Sequence, residues 1–541
     1  MKKVCTTMII ALAVLTTLTA LSQSDPKAKG FESITEDLVK AQLNFLASDW
    51  TEGREAVSKG AFLAADFIAS IYQMTGLAPA GDMQPNGTRS YFQRVPLIRT
   101  TPGEVQNLSV ISNVNGTRLS KNYIQGTDYM IQNGGNVSKN ILAPIVFIGY
   151  GIIDEANGYD ELKGLDVKGK IVVRLSGYPG HRDPLSAAYE KFKPNTQATG
   201  RALRGFPVDP RAAAANRSLI EKGALAIITV APDNVAFSTQ LATNATFYPN
   251  QRLTPLSQGR VSLYLSTPDD APLMVTVSPR LGIDLLGSST SIEEFEKNAA
   301  KTMKPQSSNL QGKSIEIVST VKSELVMGVN VLAMIEGKDT NKTIVVGGHY
   351  DHLGTNGAQI WNGADDDASG TVAAMTIGHA FMASGEKPAC NMIFAAWTAE
   401  EKGLLGSTYF VETFPNEDQI VMNMNFDMIA RDDAEDTNKN SVEFTYTETC
   451  PQWLVICKAN IIKYNLPLAI RELPKPIGFT EGTDFSPFST AGRPFISWFT
   501  GFHPDYHQYT DKLNLVNWPK CINIIRLGYL NMWDITQQLT E

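Results

Sequence analysis

The clearest pattern in the chain is a series of short apolar runs separated by longer stretches of mixed polarity. Three of these runs are TIVVGG from Thr343, NMIFAAW from Asn391 and IVMNMNF from Ile420. Each is about six residues long, which is typical of a strand buried inside a sheet. Helix-like stretches lie between them. This alternation predicts an α/β fold, with a mostly parallel central sheet flanked by helices on both faces.

A second group of apolar runs lies upstream and is more strongly β-like. APIVFIGYGI, GKIVVRL and GALAIITV are short and punctuated by glycine, and the Ala-rich run from Arg211 to Lys222 predicts a helix before the last of them. The stretch from about Gly180 to Ala213 is rich in Pro, Arg and Ala and predicts an excursion from this pattern. Further upstream, the segment from Ile34 to Leu97 predicts a long helix followed by the turn GLAPAGD. A length of 541 residues favours two or more domains.

The N-terminus has the layout of a secretory signal peptide. MKK is followed by the apolar run VCTTMIIALAVLTTLTAL and then by the polar SQSDPKAKG. We therefore expect residues 1–22 to be removed, the mature chain to start near Gln23, and the protein to be periplasmic or extracellular. An uncleaved membrane anchor is the alternative, but the run is short for crossing a bilayer. Because no other segment is long and apolar, we expect no stable membrane insertion after cleavage.

Composition and charge exclude some partners. The chain is 43% hydrophobic and 19% charged, as in ordinary globular proteins, and its net charge of −8 gives no reason to expect nucleic acid. Cys5 would leave with the signal peptide. In an exported protein the other cysteines could form up to two disulfides or stay as buried thiols, and the sequence does not decide between these: Cys390, Cys450, Cys457 and Cys521.

Residues able to bind metals or transfer protons cluster after the three apolar runs. They are His349, Asp351, Asp365, Asp366, Asp367, Glu400, Glu401, Asp427 and, in a later YHQYTD, His507. Because the carboxyl ends of parallel strands meet at one edge of a sheet, we expect these side chains to converge. Imidazoles and carboxylates without cysteine suit two zinc ions, and hydrolysis is the leading hypothesis. The chain has no HExxH and no GxSxG, which disfavours ordinary zincin and serine-hydrolase chemistry.

Each acidic motif also has a structural interpretation. The run Asp365 to Asp367 could form a solvated turn, with Ser369 capping the next helix. The Glu400 and Glu401 pair could complement a helix dipole. Asp427 is harder to explain structurally, because an acid that closes an apolar strand would be buried without a partner. Their joint occurrence at strand ends favours the functional interpretation.

Three of the six histidines lie outside these motifs or have no assigned role. His379 lies in an apolar helix-like run, where a packed structural role is favoured. His181 lies in a Pro/Gly-rich loop and is expected to be solvated. His352 follows Asp351 directly and has no role assigned from the sequence.

In these blocks the chain resembles the M28 family of co-catalytic zinc peptidases, which includes bacterial aminopeptidases and glutamate carboxypeptidases. The five blocks occur in family order. The resemblance implies that Asp366 bridges two zinc ions and that the peptide bond to Asp367 is cis. It also implies a protease-associated (PA) insertion. The domain limits are then 1–22 for the signal peptide, 23–105 for the first part of the peptidase domain, 106–290 for the insertion and 291–541 for the main part.

The same resemblance implies a role for each remaining site residue. His349 and Asp427 would bind one zinc ion, and Glu401 and His507 the other. Asp351 would orient the imidazole of His349.

The catalytic roles implied by the family go to two other residues. Glu400 would be the general base, and Tyr506 would donate a hydrogen bond to the oxyanion, although simple packing explains Tyr506 equally well. His503 competes with His507 because HPDYH places them at i and i+4. The family pattern of Tyr-His before a spacer and an Asp, here Asp511, favours His507.

The resemblance implies a peptide substrate and favours an aminopeptidase. A carboxypeptidase or dipeptidase would need a cation to hold a carboxylate, and Arg431 is a candidate, but a salt bridge to a nearby Asp is favoured. A glutaminyl cyclase or a metal-free binding module fits less well. Manganese or cobalt could replace zinc. The side-chain preference, the role of the insertion and the oligomeric state stay open.

Overall fold

The computed structural model describes residues 25–114, 116–132, 138–194, 210–247, 252–255 and 272–539. The predicted signal peptide, residues 1–22, lies outside them. The chain divides into two compact units. The discontinuous unit consists of the chain up to Val95 together with the chain from Gly328 onward, and the inserted unit is Pro96–Met327. The inserted unit encloses the predicted range 106–290, and its assignment to the PA type stays a prediction.

The helices of the described residues are, in chain order, α1 Pro26–Ser33, α2 Glu36–Leu46, α3 Lys59–Met74, α4 Ala187–Phe192, α5 Pro210–Glu221, α6 Asn234–Phe247, α7 Pro279–Leu286, α8 Ser289–Thr302, α9 Ala368–Ser384, α10 Leu405–Thr413, α11 Gln452–Lys463, α12 Phe485–Thr490 and α13 Trp518–Gln538. None of them is long and apolar enough to cross a membrane. The predicted long helix near Ile34 is two helices, α2 and α3, joined through a 3-10 turn at Asp49–Arg54.

The strands are β1 Ala78–Pro79, β2 Phe92–Val114, β3 Thr117–Tyr123, β4 Tyr129–Gln132, β5 Lys139–Phe147, β6 Ile153–Asp154, β7 Tyr159–Asp160, β8 Ile171–Leu175, β9 Ala226–Val230, β10 Arg252–Pro255, β11 Leu273–Val277, β12 Ser308–Ile335, β13 Asp339–His349, β14 Gly354–Asn356, β15 Gln359–Trp361, β16 Cys390–Trp397, β17 Ile420–Phe426, β18 Ser441–Thr447, β19 Ala469–Lys475 and β20 Phe495–Phe499. Each of the three apolar runs singled out in the sequence forms a buried strand, namely β13, β16 and β17.

The sheet of the discontinuous unit explains why the predicted site residues meet. Its strand order is β19-β18-β20-β17-β13-β16, followed by the end of β12. β13 runs parallel to both β16 and β17, and β17 runs parallel to β20. His349 is in register with Trp397, so β13 and β16 end at the same level. The predicted α/β fold with a mostly parallel sheet flanked by helices is confirmed.

Helix α9 packs into the core of this unit. It is apolar around most of its circumference, and 14 of its residues are buried, as expected for a helix covered on all sides. Gly378 allows close packing, since a Cβ there would lie 3.2 Å from the ring of Phe394. Because α9 begins immediately after Asp367, its packing fixes the position of the acidic run relative to the sheet.

In the inserted unit, β5, β8, β9 and β11 lie side by side and parallel, and β4 is antiparallel at the edge. The three upstream apolar runs form β5, β8 and β9, and the predicted Ala-rich helix is α5. The predicted excursion near 180–213 lies partly outside the described residues. The expectation that His181 is solvated is wrong. Its side chain is only 17% exposed and contacts the rings of Tyr150 and Tyr178.

All four cysteines of the described residues are free thiols. Cys390, Cys457 and Cys521 are buried, and Cys450 is half-buried. Between the two possibilities that the sequence left open, the structure therefore has thiols.

Candidate metal centre

His349 ends strand β13 and is held in a fixed orientation. Its backbone N–H donates to Oδ2 of Asp367 over 3.1 Å. Its Nδ1 lies 3.0 Å from the carbonyl oxygen of Asp351. A carbonyl can only accept, so Nδ1 carries the proton and the lone pair of Nε2 is free to bind a cation. The orienting contact therefore comes from the main chain of Asp351, whereas its carboxylate accepts the backbone N–H of Glu400 over 3.0 Å.

The carboxylate of Asp366 lies between two imidazoles. Its Oδ1 is 3.3 Å from Nε2 of His349, and its Oδ2 is 2.9 Å from Nε2 of His507. Each oxygen thus faces a different histidine, which is the arrangement expected of a carboxylate that bridges two cations. The peptide bond between Asp366 and Asp367 is cis, as the family resemblance implied.

The two acids beside Asp366 bind backbone groups. Asp367 caps α9 by accepting the N–H of Gly370 over 2.9 Å and also accepts the N–H of Met428. Asp365 accepts the N–H of Ala430 over 2.6 Å. The expectation that Ser369 caps the helix is wrong: Ser369 lies inside α9, and Asp367 caps the helix, while the central carboxylate points into the site.

A further carboxylate fixes the acidic run from outside. Asp511 is fully buried, and its Oδ2 accepts the N–H groups of Asp365 and Asp366 over 3.0 and 3.2 Å. Burial raises the pKa of Asp511 to about 7. From the sequence, Asp511 was only a marker for the Tyr-His pattern, and this contact gives it a structural role.

The remaining acids divide between the two histidines. Oδ1 of Asp427 and Oε2 of Glu400 lie 3.9 and 3.8 Å from Nε2 of His349. Oε2 of Glu401 lies 3.2 Å from Nε2 of His507. The structure therefore brings together all five predicted metal ligands and the predicted general base.

His352 joins this cluster, although the sequence gave it no role. It is fully buried, and its Nδ1 lies 2.8 Å from Oε1 of Glu401 and 3.7 Å from Oδ2 of Asp366. Among the described residues, two groups of possible ligand atoms lie within 4.8 Å: His349, Glu400 and Asp427 in one, and His352, Asp366 and Glu401 in the other. The available signal was its position one residue after Asp351 in HYDH.

The charges in this cluster shift one another strongly. Burial lowers the pKa of His507, but nearby carboxylates, Glu401 first, raise it to about 10. His349 behaves in the same way, with Glu400 as the main cause that raises its pKa. Burial raises the pKa of Glu400 well above its usual value. Buried carboxylates packed around imidazoles in this way are stabilised by bound cations.

The donor set and its spacing fit zinc. The grouped ligand atoms of the described residues are imidazole nitrogens and carboxylate oxygens. Zn–N and Zn–O bonds of about 2.0–2.1 Å in a tetrahedron place ligand atoms roughly 3.4 Å apart. The distances around His349 and His507 lie between 2.9 and 3.9 Å, close to that value.

Tyr506 and His503 border this centre in different ways. The ring of Tyr506 stacks on His507 with centroids 3.8 Å apart. Nε2 of His503 lies 3.2 Å from Oδ2 of Asp365, whereas Nε2 of His507 lies 2.9 Å from the central Asp366 and 3.2 Å from Glu401. The geometry therefore favours His507 over His503 as the ligand.

Two other residues weighed in the sequence are accounted for structurally. Arg431 donates to Asp505 over 2.6 Å and lies 3.8 Å from Asp511, which is the expected salt bridge. His379 lies half-buried within α9, as expected for a packed residue, and burial lowers its pKa.

Comparison with known proteins identifies this part of the chain. Residues 330–529 match the model of Peptidase family M28. This segment belongs to peptidase family M28. The match covers all five predicted metal ligands, so the cluster described above lies entirely within the M28 segment.

Curated relatives of the M28 segment are similar over part of their length. Leupeptin-inactivating enzyme 1 of Streptomyces exfoliatus is 30% identical over 189 residues, covering 34% of this chain and 38% of the relative. Leucine aminopeptidase 2 of Arthroderma otae is 30% identical over 174 residues, covering 32% and 33%. The chain thus spans 38% and 33% of the length of these two relatives.

Solved structures are similar over nearly the whole chain. An aminopeptidase from Aneurinibacillus sp. strain AM-1 has a TM-score of 0.55 at 15% identity, covering 94% of this chain and 95% of that one. A zinc aminopeptidase from Bacillus subtilis has a TM-score of 0.50 at 15% identity, covering 93% and 95%. At this identity the likeness concerns the fold.

Proposed function

We propose that the protein is an exported metallo-aminopeptidase that removes N-terminal residues from peptides with the help of two zinc ions. The observation that carries the proposal is the carboxylate of Asp366, which faces His349 with one oxygen and His507 with the other. Membership of the M28 segment and relatives named leucine aminopeptidase support the reaction class.

Five side chains would hold the two ions. His349 and Asp427 would bind one, Glu401 and His507 the other, and Asp366 both. When bound, such ions act as Lewis acids toward a water molecule and a peptide carbonyl. Manganese or cobalt suits the same ligands, so the proposal fixes the donor set more firmly than the metal.

Glu400 is proposed as the general base. A carboxylate base accepts protons more readily when its pKa is raised above the usual value, and burial raises the pKa of Glu400. It would take the proton of the attacking water and pass it to the leaving amine. The backbone N–H of Glu400 donates to Asp351, which restricts where its side chain can lie.

Tyr506 is proposed to donate a hydrogen bond to the tetrahedral oxyanion. Its ring is fixed by stacking on His507 and by an edge contact with Phe502, at 4.8 Å between centroids. A donor held in advance near developing negative charge stabilises a transition state without reorganisation.

Cleavage direction separates this proposal from its alternatives. A carboxypeptidase needs a free cation to hold the terminal carboxylate, and Arg431, the candidate from the sequence, is engaged by Asp505. This contact favours the aminopeptidase. A glutaminyl cyclase or a binding module has no comparable observation in its support.

The proposal is tested with a mixed peptide library and its N-acetylated counterpart, each with and without a chelator. Chelator-sensitive loss of single N-terminal residues from the free-amine set alone is the expected result. Trimming from the C-terminus in both sets would make the enzyme a carboxypeptidase. No cleavage, together with purification free of zinc, would support a binding module. N-terminal sequencing of the chain from the periplasm or medium tests export, with a start near residue 23 expected.

A further inference from the structure

One buried arginine, Arg54, donates hydrogen bonds to the backbone beside the metal centre rather than to the predicted ligands themselves. Arg54 is the last residue of the 3-10 turn Asp49–Arg54 and is fully buried. Burial lowers its pKa to about 10, so it stays charged at neutral pH. A buried guanidinium needs partners for up to five N–H groups, and here they are backbone carbonyls of the discontinuous unit.

The guanidinium makes four such bonds. Nε donates to the carbonyl of Tyr350 over 2.6 Å, Nη1 to those of Leu46 and Asn362 over 2.5 and 2.6 Å, and Nη2 to that of Gly363 over 2.9 Å. One side chain thus joins the end of helix α2 to two loops that carry metal ligands.

Arg54 forms hydrogen bonds to the first of these loops on both sides of Asp351. Tyr350 lies between His349 and Asp351. On the other side of Asp351, the backbone N–H of His352 donates to the carbonyl of Arg54 over 3.2 Å. Arg54 therefore fixes the main chain at positions 350 and 352, and the carbonyl of Asp351 that orients His349 lies between them.

The second loop is a tight turn that leads into the bridging acid. Gly363 has a positive φ of 54°, and a Cβ there would lie 2.1 Å from the carbonyl oxygen of Asp366. Because the backbone of Gly363 lies so close to the backbone of Asp366, a shift of the Gly363 carbonyl moves Asp366. The bond from Arg54 to Gly363 thus acts on the carboxylate that faces both histidines.

We propose that Arg54 is a positioning residue of the metal centre. It holds the His349–Asp351 loop and the Asn362–Asp366 loop in the geometry that binds metal, and its fixed positive charge lies close to Asp511, Asp351 and Asp366. The inference rests on the proposed metal site but not on the direction of cleavage.

The test measures metal affinity in the full-length chain. Arg54→Gly removes the guanidinium at a position whose φ of 52° glycine adopts freely. Arg526→Ala is the matched control, because Arg526 also donates only to a backbone carbonyl, that of Ile34, from helix α13. Zinc affinity is measured by chelator competition, and folding by circular dichroism.

We expect folded Arg54→Gly to bind zinc about 10- to 100-fold more weakly, as is usual when groups that orient ligands are removed. Methylguanidinium should restore much of the affinity, and Arg526→Ala should bind zinc like the wild type. Wild-type affinity in folded Arg54→Gly without methylguanidinium would overturn the inference. A wild-type chain that binds no zinc would remove both this inference and the proposed function.

A measurement on the unsubstituted chain covers the case in which Arg54→Gly does not fold. Amide hydrogen exchange is followed in the metal-free wild type. If Arg54 holds the two loops, the amides of residues 349–352 and 363–366 are protected before zinc is added. Rapid exchange that slows only on adding zinc would mean that the metal orders the loops, and would refute the positioning role.

Discussion

Replacing Glu400 by glutamine separates metal binding from proton transfer. The substitution keeps the size of the side chain and removes its basicity. Oε2 of Glu400 lies 3.8 Å from Nε2 of His349, whereas Asp366 lies 3.3 Å from the same atom. Asp366 and Asp427 stay beside His349, so we expect Glu400→Gln to retain both zinc ions.

The loss of activity can be estimated from the proposed role. A positioned general base contributes about 10²- to 10⁴-fold, which corresponds to roughly 3–5 kcal/mol of barrier. We therefore expect kcat on a peptide cleaved in the library test to fall by about that factor while zinc content, measured by mass spectrometry, is unchanged. Asp366→Asn is the comparison and should lose metal and activity together.

Two results would refute this reasoning. A kcat within tenfold of the wild type would exclude Glu400 as the base. Loss of one zinc ion from Glu400→Gln would make Glu400 a ligand, which its grouping with His349 and Asp427 also permits.

Three further outcomes are expected. Removing the metal with a chelator should lower the Tm by about 10 °C, because a ligand at a thousand times its Kd stabilises the folded state by about 4 kcal/mol. An unchanged Tm would contradict the presence of a cation in the buried cluster. Burial raises the folded-state pKa of Glu161 in the inserted unit to about 7. The contribution of Glu161 to stability is therefore present at low pH and is lost, by about 3 kcal/mol in all, as the pH rises from about 4.5 through 7. The urea midpoint of residues 145–175, followed by hydrogen exchange, should be lower at pH 8 than at pH 5, and Glu161→Gln should abolish this difference. Arg431→Met should lower the free energy of unfolding, measured by urea denaturation, by about 2 kcal/mol because the bond to Asp505 is lost, and should leave KM unchanged. A tenfold rise in KM would instead indicate that Arg431 binds the carboxylate of the substrate.

The fold could be predicted because its strands carry unambiguous signals. The runs that became β13, β16 and β17 are apolar throughout, and the acids that follow them mark where the strands end. Parallel strands in register then bring His349, Glu400 and Asp427 together with no further information. These residues could be predicted because each lies within a few residues of the end of its own strand.

The groups behind the ligands could not be predicted in this way. Asp511 accepts the N–H of Asp365 across 146 positions, and Arg54 reaches the carbonyl of Tyr350 across 296. Neither contact leaves a periodic or motif signal, because the partners are backbone groups that every residue has. His352 lay within a recognised block, but only its distance to Glu401 assigns it to the centre.

The discontinuous unit also constrains the order in which the protein can be made. Arg54 and the carbonyl of Gly363 are 309 positions apart, and the whole inserted unit lies between them. During translation, the segment up to Val95 leaves the ribosome long before the segment from Gly328 onward has been made. The inserted unit is also complete before that later segment. A nascent chain therefore cannot assemble the proposed metal centre until His507 has been made, because the other four predicted ligands all precede it. Truncated products are expected to be inert.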